Sequence, residues 1–387
     1  MKENAFWSSM VLTLCLVCIS PAFGQHGVFE KTVDWPQIGD FKLDGEVSVS
    51  GDEYTVKGNG NNIGSNTDSL EEGGDEGFFV YKELEGSHSL QARIAWIDAW
   101  DTSEVGVMIR QSPEQPGSNY FQIETNQWGA QTHANFRNRL GVGGTSGEQL
   151  FTPDGAPVED PGDGLWIRVT RIEPIDFFYC EYSLDGTEWV FGYSMTQAWD
   201  SETAAYGIAI AGGQDDDWLV EAKATDVAFS TPPPITVRSL SQAAFSAGDT
   251  VEVTIDVINS GDSSRDITIE ETVPLGWSVS DVSDGGSESG GTITWNLTSV
   301  PAGTTQVTYN VTAPGSPDNE AFWSGGVDGS NVKTLGKAGL LFSEGGGERV
   351  SDGILVLYTF DAGQGDTVYD VSGVGEPLDL KMRDPDR

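Results

Sequence analysis

Paired carboxylates are the residues through which this sequence could carry out catalysis. Glycosidases hold two carboxylates at a fixed separation, one as the acid and the other as nucleophile or base. A Glu-x-Asp-x-x-Glu strand would supply such a pair on one strand face, and the sequence contains no such run. Asp98 and Asp101 are three residues apart, and Glu270 and Glu271 are adjacent, so each pair would point to opposite faces of a strand. A catalytic pair could arise only from carboxylates that converge from separate strands.

Other reactive or metal-binding groups are scattered. The 3 histidines, at positions 26, 88 and 133, form no His/Cys cluster of the zinc-binding kind, and neither a Gly-x-Ser-x-Gly elbow nor a phosphate-binding loop occurs. Asp215-Asp216-Asp217 could offer oxygen ligands to Ca²⁺, but three consecutive aspartates reach a single ion with difficulty, which favours a solvated turn. We therefore predict no cofactor, with Ca²⁺ as the one alternative left open.

The elements that position these residues are short strands. Between Phe29 and Ser230 the chain alternates apolar and polar residues in runs bounded by Gly, Asn, Asp or Pro, which predicts an all-β, two-sheet sandwich. The predicted strands include Ser89–Trp96, Glu104–Arg110, Asn119–Thr125, Leu165–Ile172, Phe177–Ser183 and Ala205–Ala211.

Three blocks within residues 30–230 resemble a concanavalin A-like jelly-roll family of secreted bacterial proteins, a domain of unknown function. The blocks are Val105–Ser112, Leu165–Arg171 and Tyr182–Trp189. The family usually carries an Asp-Ile-Trp-Gly-like step, whereas Asn62-Ile63-Gly64 here lacks the tryptophan and an acidic insertion follows it. The resemblance implies a concanavalin A-like β-sandwich, in which one curved sheet often holds sugar.

A candidate carbohydrate-binding face follows from the pleat. If the apolar residues of each strand face the core, then the polar and aromatic residues between them face outward. The outward-facing candidates are Arg110, Gln122, Glu124, His133, Trp166, Arg168 and Glu181. The alternative is a solvated sheet on which Arg110 merely pairs with Glu124, and Arg168 with Glu181.

The chain divides into several segments. Pro232-Pro233-Pro234 makes residues 231–234 a stiff linker, so that residues 25–230 form the jelly-roll domain. Residues 235–343 resemble the immunoglobulin-like repeats of bacterial surface proteins, through Ala247–Val251 and Pro274–Trp277. Residues 344–387 are predicted to be a linker and the truncated start of a laminin G-like module, an incomplete β segment, because Leu357–Asp361 resembles the first strand of such a module.

The N-terminus predicts export. An apolar run at Met10–Ile19 is too short to span a bilayer as a finished helix, and it is followed by Ala22-Phe23-Gly24, which is spaced for signal peptidase. We expect residues 1–24 to be a cleaved signal peptide and the protein to be secreted or held at the cell surface, with no membrane insertion after cleavage.

The formal net charge of −40 narrows the range of partners. Nucleic acid is excluded because phosphate binding requires a basic surface. The favoured hypothesis is a non-catalytic extracellular protein whose jelly-roll module binds polysaccharide or another glycan. Two alternatives remain: a structural or adhesive surface protein without sugar specificity, or the leading part of a polysaccharide-degrading enzyme whose catalytic domain lies beyond residue 387.

Overall fold

The computed structural model describes residues 27–35, 43–60, 63, 75–99, 102–115, 117–128, 131–139, 146–160, 162–212, 218–343, 367–368 and 380–381. The chain separates into two compact units, with the change between Pro233 and Pro234. The predicted signal peptide lies outside the described residues, as do Asp215–Asp217 and most of the predicted laminin G-like segment.

The described part of the first unit contains fourteen strands. They are β1 (Lys31–Trp35), β2 (Glu46–Ser50), β3 (Glu53–Gly58), β4 (Gly77–Glu85), β5 (His88–Asp98), β6 (Glu104–Arg110), β7 (Tyr120–Trp128), β8 (Gln131–Arg139), β9 (Ser146–Gln149), β10 (Leu165–Ile172), β11 (Phe177–Ser183), β12 (Val190–Thr196), β13 (Thr203–Ala211) and β14 (Val220–Ser230). One 3₁₀ turn, Glu173–Ile175, joins β10 to β11. Among the described residues, no helix is long and apolar enough to cross a lipid bilayer.

These strands form two antiparallel sheets of seven strands each. Sheet A has the order β1-β4-β13-β6-β7-β8-β9, and sheet B has the order β12-β11-β10-β5-β14-β3-β2. Strands distant in sequence are neighbours in both sheets, as when β13 lies between β4 and β6. The predicted all-β concanavalin A-like sandwich is confirmed at the level of two large antiparallel sheets.

The hydrophobic core lies between the two sheets. On β6 the alternate residues Val105, Val107 and Ile109 are fully buried in this core, where they meet Ile167 and Val169 of β10. Period-two alternation places these side chains on one face, so burying them stabilises the sandwich by about 1.5–3 kcal/mol for each large apolar side chain.

A second apolar cluster covers part of the outer face of sheet A. The ring of Trp35 in β1 stacks on Phe79 at 5.4 Å, and Phe79 stacks on Tyr81 at 5.1 Å between centroids. Met108 of β6 and Tyr120 of β7 belong to the same cluster, as does Ile63, and their side chains are fully buried like the three stacked rings. This part of the outer face is therefore closed.

The second unit is a separate β-sandwich. Its strands are β15 (Ile235–Leu240), β16 (Ala244–Phe245), β17 (Thr250–Asn259), β18 (Arg265–Thr272), β19 (Ser278–Ser280), β20 (Ser287–Ser289), β21 (Thr292–Val300), β22 (Gly303–Thr312), β23 (Glu320–Phe322), β24 (Ser324–Val327), β25 (Leu335–Gly336) and β26 (Gly339–Phe342). They form sheets with the orders β19-β22-β17-β15-β25, β20-β21-β18-β24 and β16-β26-β23 around a core that includes Ile255, Ile269 and Trp295. Its immunoglobulin-like character remains a prediction.

The described part of the C-terminal segment is one antiparallel pair, β27 (Thr367–Val368) and β28 (Leu380–Lys381).

Candidate binding site on the outer face of sheet A

The pairing of β6, β7 and β8 arranges their outward-facing residues in rows across sheet A. In each row the first residue lies on β6, the second on β7 and the third on β8. Three such rows are Met108, Gln122 and Arg137; Gly106, Glu124 and Asn135; and Glu104, Asn126 and His133. Because side chains directly opposite each other on neighbouring strands lie about 4.5–5.5 Å apart at Cβ, residues from three strands converge. We call Glu104, Gln122, Glu124, Asn126, His133 and Arg137 the outer polar cluster.

Arg137 is the electrostatic centre of the outer polar cluster. Its Nη2 lies 2.5 Å from Glu104 Oε1, and its Nε lies 2.8 Å from Glu124 Oε1. Gln122 Nε2 donates to Glu124 Oε2 at 2.5 Å. Glu104, Gln122 and Glu124 are fully buried, so one guanidinium compensates two carboxyl groups that are removed from water.

Burial changes the protonation of the two carboxyl groups. Burial and the nearby Glu124 charge raise the pKa of Glu104 well above its ordinary value. Burial also raises the pKa of Glu124, while Arg137 opposes that change. Although burial works against its charge, Arg137 has a raised pKa because Glu124 and Glu104 face it. The cluster therefore favours a proton on Glu104 and a charged Glu124–Arg137 pair.

Several polar atoms of the cluster have no hydrogen-bond partner among the described residues. They are Gln122 Oε1, Glu124 Oε1, Asn126 Oδ1 and His133 Nδ1. Glu124 Oε1 has its ion pair with Arg137 but no hydrogen bond. Asn126, His133 and Arg137 are half-buried, so the cluster opens at β7 and β8. Buried polar atoms are nearly always paired, and polar groups that converge in a partly open position can serve to bind a ligand.

Ile63 contacts the cluster through its backbone. Its N–H donates to Glu104 Oε2 at 3.3 Å, and its carbonyl accepts from Arg137 Nη1 at 3.2 Å and from the Tyr120 hydroxyl at 3.3 Å. Its side chain is fully buried in the apolar cluster on the same face. These contacts fix the orientation of Glu104 and Arg137.

Arg110 has a different role from the one predicted. It is fully buried, and its Nη2 donates to Asp75 Oδ2 at 2.5 Å, while Arg139 bonds both oxygens of Asp75 at 2.8 and 2.9 Å. Burial alone would raise the pKa of Asp75, but Arg110 and Arg139 outweigh it and lower the pKa. Arg110 faces outward, as the pleat predicted, because Val107 and Ile109 face the core. Its predicted availability is wrong, because Asp75 and the Trp35 ring enclose it, and it pairs with Asp75 instead of Glu124.

Trp166, Arg168 and Glu181 lie on β10 and β11 of sheet B, with Leu165, Ile167 and Cys180 facing the shared core. They therefore occupy the outer face opposite to the one that carries Gln122, Glu124 and His133. The prediction that all seven residues share one face is wrong. The alternation was correct within each strand, but the assignment of strands to sheets depends on pairing between distant segments.

The contacts of these three residues are local. Arg168 pairs with Glu181 at 2.6 Å, as the solvated-sheet alternative predicted, and its guanidinium carbon lies 4.0 Å from the Trp189 ring centroid. Trp166 lies 4.2 Å beneath Arg93, and its Nε1 donates to Asp226 at 3.2 Å. A Cβ on Gly186 would come within 2.9 Å of the Trp166 ring, so the turn between β11 and β12 also packs against this ring.

Sequence reasoning missed Glu104, Asn126 and Arg137. Glu104 and Arg110 lie an even number of residues apart on β6, a signal that already placed Glu104 on the Arg110 face. Arg137 gave no such signal, because only Ala134 and Phe136 of β8 are apolar and the bounds of this strand were not predicted.

Among the residues described, no group of three His, Cys, Asp or Glu side chains is placed to hold a metal ion.

Comparison with known proteins gives weak structural likenesses. No protein-family model and no curated protein matches the sequence. A functionally unknown protein from Saccharomyces cerevisiae has a TM-score of 0.39 and 13% identity, over 52% of this chain and 96% of that one. A pseudo β-1,3-glucanase and immunostimulatory antigen of Mycobacterium tuberculosis has a TM-score of 0.32 and 15% identity, over 50% and 87%.

Arcelin-5, a lectin-like defence protein from Phaseolus vulgaris, has a TM-score of 0.29 and 12% identity, over 51% of this chain and 96% of its own. The fold of this chain is assigned from its sheet topology.

Proposed function

We propose that the first unit binds a carbohydrate through the outer polar cluster, without chemical conversion of the ligand, and that it does so outside the cell. The observation that carries this proposal is the set of unpaired polar atoms on Gln122, Glu124, Asn126 and His133, which lies beside half-buried side chains. Amide, imidazole and carboxylate groups are the side chains that pair with sugar hydroxyls, and a few such groups in a partly enclosed site fix ligand orientation.

The arrangement of the two carboxyl groups favours binding over hydrolysis. A glycosidase needs one carboxylic acid and one free carboxylate on either side of the scissile bond. Here Glu104 and Glu124 both point at the same guanidinium, with contacts of 2.5 and 2.8 Å to Arg137. Each carboxyl group is therefore already engaged with Arg137.

Export is part of the same proposal. It is supported by the apolar run Met10–Ile19 with small residues after it, and by the formal net charge of −40, which suits a soluble extracellular surface.

The test is a glycan array probed with the mature full chain and with an Asn126→Ala/His133→Ala variant. Asn126 and His133 are opposite each other on β7 and β8 and are half-buried, so their loss should leave the core intact. We expect saturable retention on at least one glycan class by the wild type and a loss of at least tenfold in the variant. A Lys223→Ala variant on the outer face of sheet B, where Lys223 is 38% exposed, serves as the control.

Three results would count against the proposal. Absence of saturable retention on every glycan would favour an adhesive or structural role without sugar specificity. Equal retention by wild type and double variant would place the binding surface elsewhere. Release of reducing sugar during incubation would contradict the non-catalytic part.

A further inference from the structure

The unpaired atoms of the outer polar cluster are mainly hydrogen-bond acceptors. Gln122 donates through Nε2 to Glu124, which fixes the orientation of its amide and leaves Oε1 as the free acceptor. Glu124 Oε1 and Asn126 Oδ1 are also acceptors without a hydrogen bond among the described residues. A ligand that satisfies these atoms must bring hydrogen-bond donors.

The arginines described on this face are already engaged. Arg137 contacts Glu104, Glu124 and the Ile63 carbonyl, and Arg139 gives two hydrogen bonds to Asp75. Arg110 Nη1 is buried without a partner, but its guanidinium carbon lies 4.4 Å from the centroid of the fully buried Trp35 ring. Among the residues that the structure describes, this face therefore has no arginine without a counter-charge at its open end to receive a sulfate or a carboxylate.

The charge balance of the outer polar cluster also disfavours an anionic ligand. Glu104 and Glu124 face a single Arg137, and the pKa of Glu104 is raised by burial and by Glu124, which favours its neutral form. One carboxylate and one guanidinium then balance, so an added anion would find acceptors and no free positive charge.

We infer that the ligand of the outer polar cluster is an uncharged glycan that presents hydroxyl donors, and that glycans carrying sulfate or uronate groups are rejected. This inference rests on the proposed function. A hydroxyl group can donate to Gln122 Oε1 or Glu124 Oε1 and accept from a neighbouring group, whereas sulfate and carboxylate oxygens only accept. A buried acceptor placed against another acceptor stays unpaired, which lowers affinity.

The test uses isothermal titration of the full chain with each neutral oligosaccharide retained on the array, and with sulfated and uronate forms of the same backbone. We expect the neutral form to bind at least about tenfold more tightly, a difference of about 1.4 kcal/mol. Glu124→Gln removes one negative charge and adds a hydrogen-bond donor, so it should reduce the ratio of the affinity for the neutral form to the affinity for the anionic form. Glu53→Gln on sheet B, where the Glu53 side chain is 42% exposed, should leave the ratio unchanged.

Salt dependence gives a second measurement that does not depend on the folding of Glu124→Gln. The affinity of a neutral ligand should be constant between about 50 mM and about 500 mM NaCl, whereas an anionic form should bind more weakly at low salt.

Equal or tighter binding of the anionic forms would overturn the inference. If that binding were also lost in Asn126→Ala/His133→Ala, the site would stand and only the ligand class would be wrong. If neither neutral nor anionic forms bound, the proposed function itself would fail.

Discussion

Gly106 lies directly opposite Glu124 across β6 and β7, so close that a Cβ on Gly106 would come within 2.7 Å of the Glu124 Cβ. The same Cβ would lie 2.2 Å from the Ile123 carbonyl oxygen. The absence of a side chain at position 106 therefore leaves the space in which Glu124 reaches Arg137. The position of the β6 backbone at Gly106 therefore determines where the Glu124 side chain lies in the outer polar cluster.

Gly106→Ala should therefore damage both stability and ligand binding. The methyl group must displace the β7 backbone or the Glu124 side chain, at a cost of about 1–3 kcal/mol of overpacking. We expect a lower urea midpoint and a lower glycan affinity. Gly315→Ala is the matched control, because a Cβ there meets nothing within 4 Å. Wild-type affinity and stability in Gly106→Ala would contradict the geometry described for Glu124.

Asp75→Asn should be among the most destabilising single changes in the first unit. The side chain of Asp75 has 0% exposure and bonds both Arg110 and Arg139, so its loss leaves two buried guanidinium groups without a counter-charge. Breaking a buried ion pair in this way costs about 3–5 kcal/mol.

Urea unfolding of the full chain measures this change. The control is Glu53→Gln, which breaks an exposed ion pair with Lys223 and should cost less than about 1 kcal/mol. A similar small effect in Asp75→Asn would show that Asp75 does not anchor the two arginines.

The raised pKa of Glu104 predicts a pH dependence of stability. A carboxyl group whose pKa is raised on folding contributes stability that is fully present below its ordinary value of 4.5 and is lost as the pH rises through the raised value. Glu104→Gln cannot titrate at this position, so the wild type should lose stability relative to the variant as the pH rises above 4.5.

This difference is measured by urea unfolding over a pH series. Glu320→Gln, at an exposed position on β23, controls for the change in net charge. Parallel pH profiles of wild type and Glu104→Gln would refute a buried, proton-binding Glu104.

Trp166→Ala should weaken the fold locally and leave glycan affinity unchanged. The indole loses its contact with Arg93 and its hydrogen bond to Asp226, which together are worth about 1–2 kcal/mol. Trp166 lies on the outer face of sheet B, on the other side of the core from the outer polar cluster. A tenfold loss of affinity on titration, with the fold intact, would instead place the ligand on sheet B.

The sequence predicted strands well where the alternation was regular. The bounds of Glu104–Arg110, Leu165–Ile172 and Phe177–Ser183 agree with β6, β10 and β11, because apolar side chains that face the core occupy every second position. The bounds of β8 were not predicted, because most of its residues are polar on both faces of the strand.

The site could be predicted only in part, for a physical reason. Alternation within a strand tells which residues point the same way, but not which sheet the strand joins. Gln122, Glu124 and His133 were recognised from their own strands, whereas their proximity to Glu104 and Arg137 depends on the pairing of β6, β7 and β8. Trp166 was assigned to the same face because no local signal separates sheet A from sheet B.

The most direct test of the account maps ligand contacts on the full chain by NMR. A neutral oligosaccharide retained on the array is titrated into isotope-labelled protein, and amide and side-chain shifts are followed. A ligand in the outer polar cluster should give saturable shifts at Asn126 and His133, with further changes at Gln122 and Glu124, and none at Trp166 or in the second unit. Shifts centred on Trp166 and Arg168, or confined to residues after Pro234, would contradict a ligand site on the outer face of sheet A.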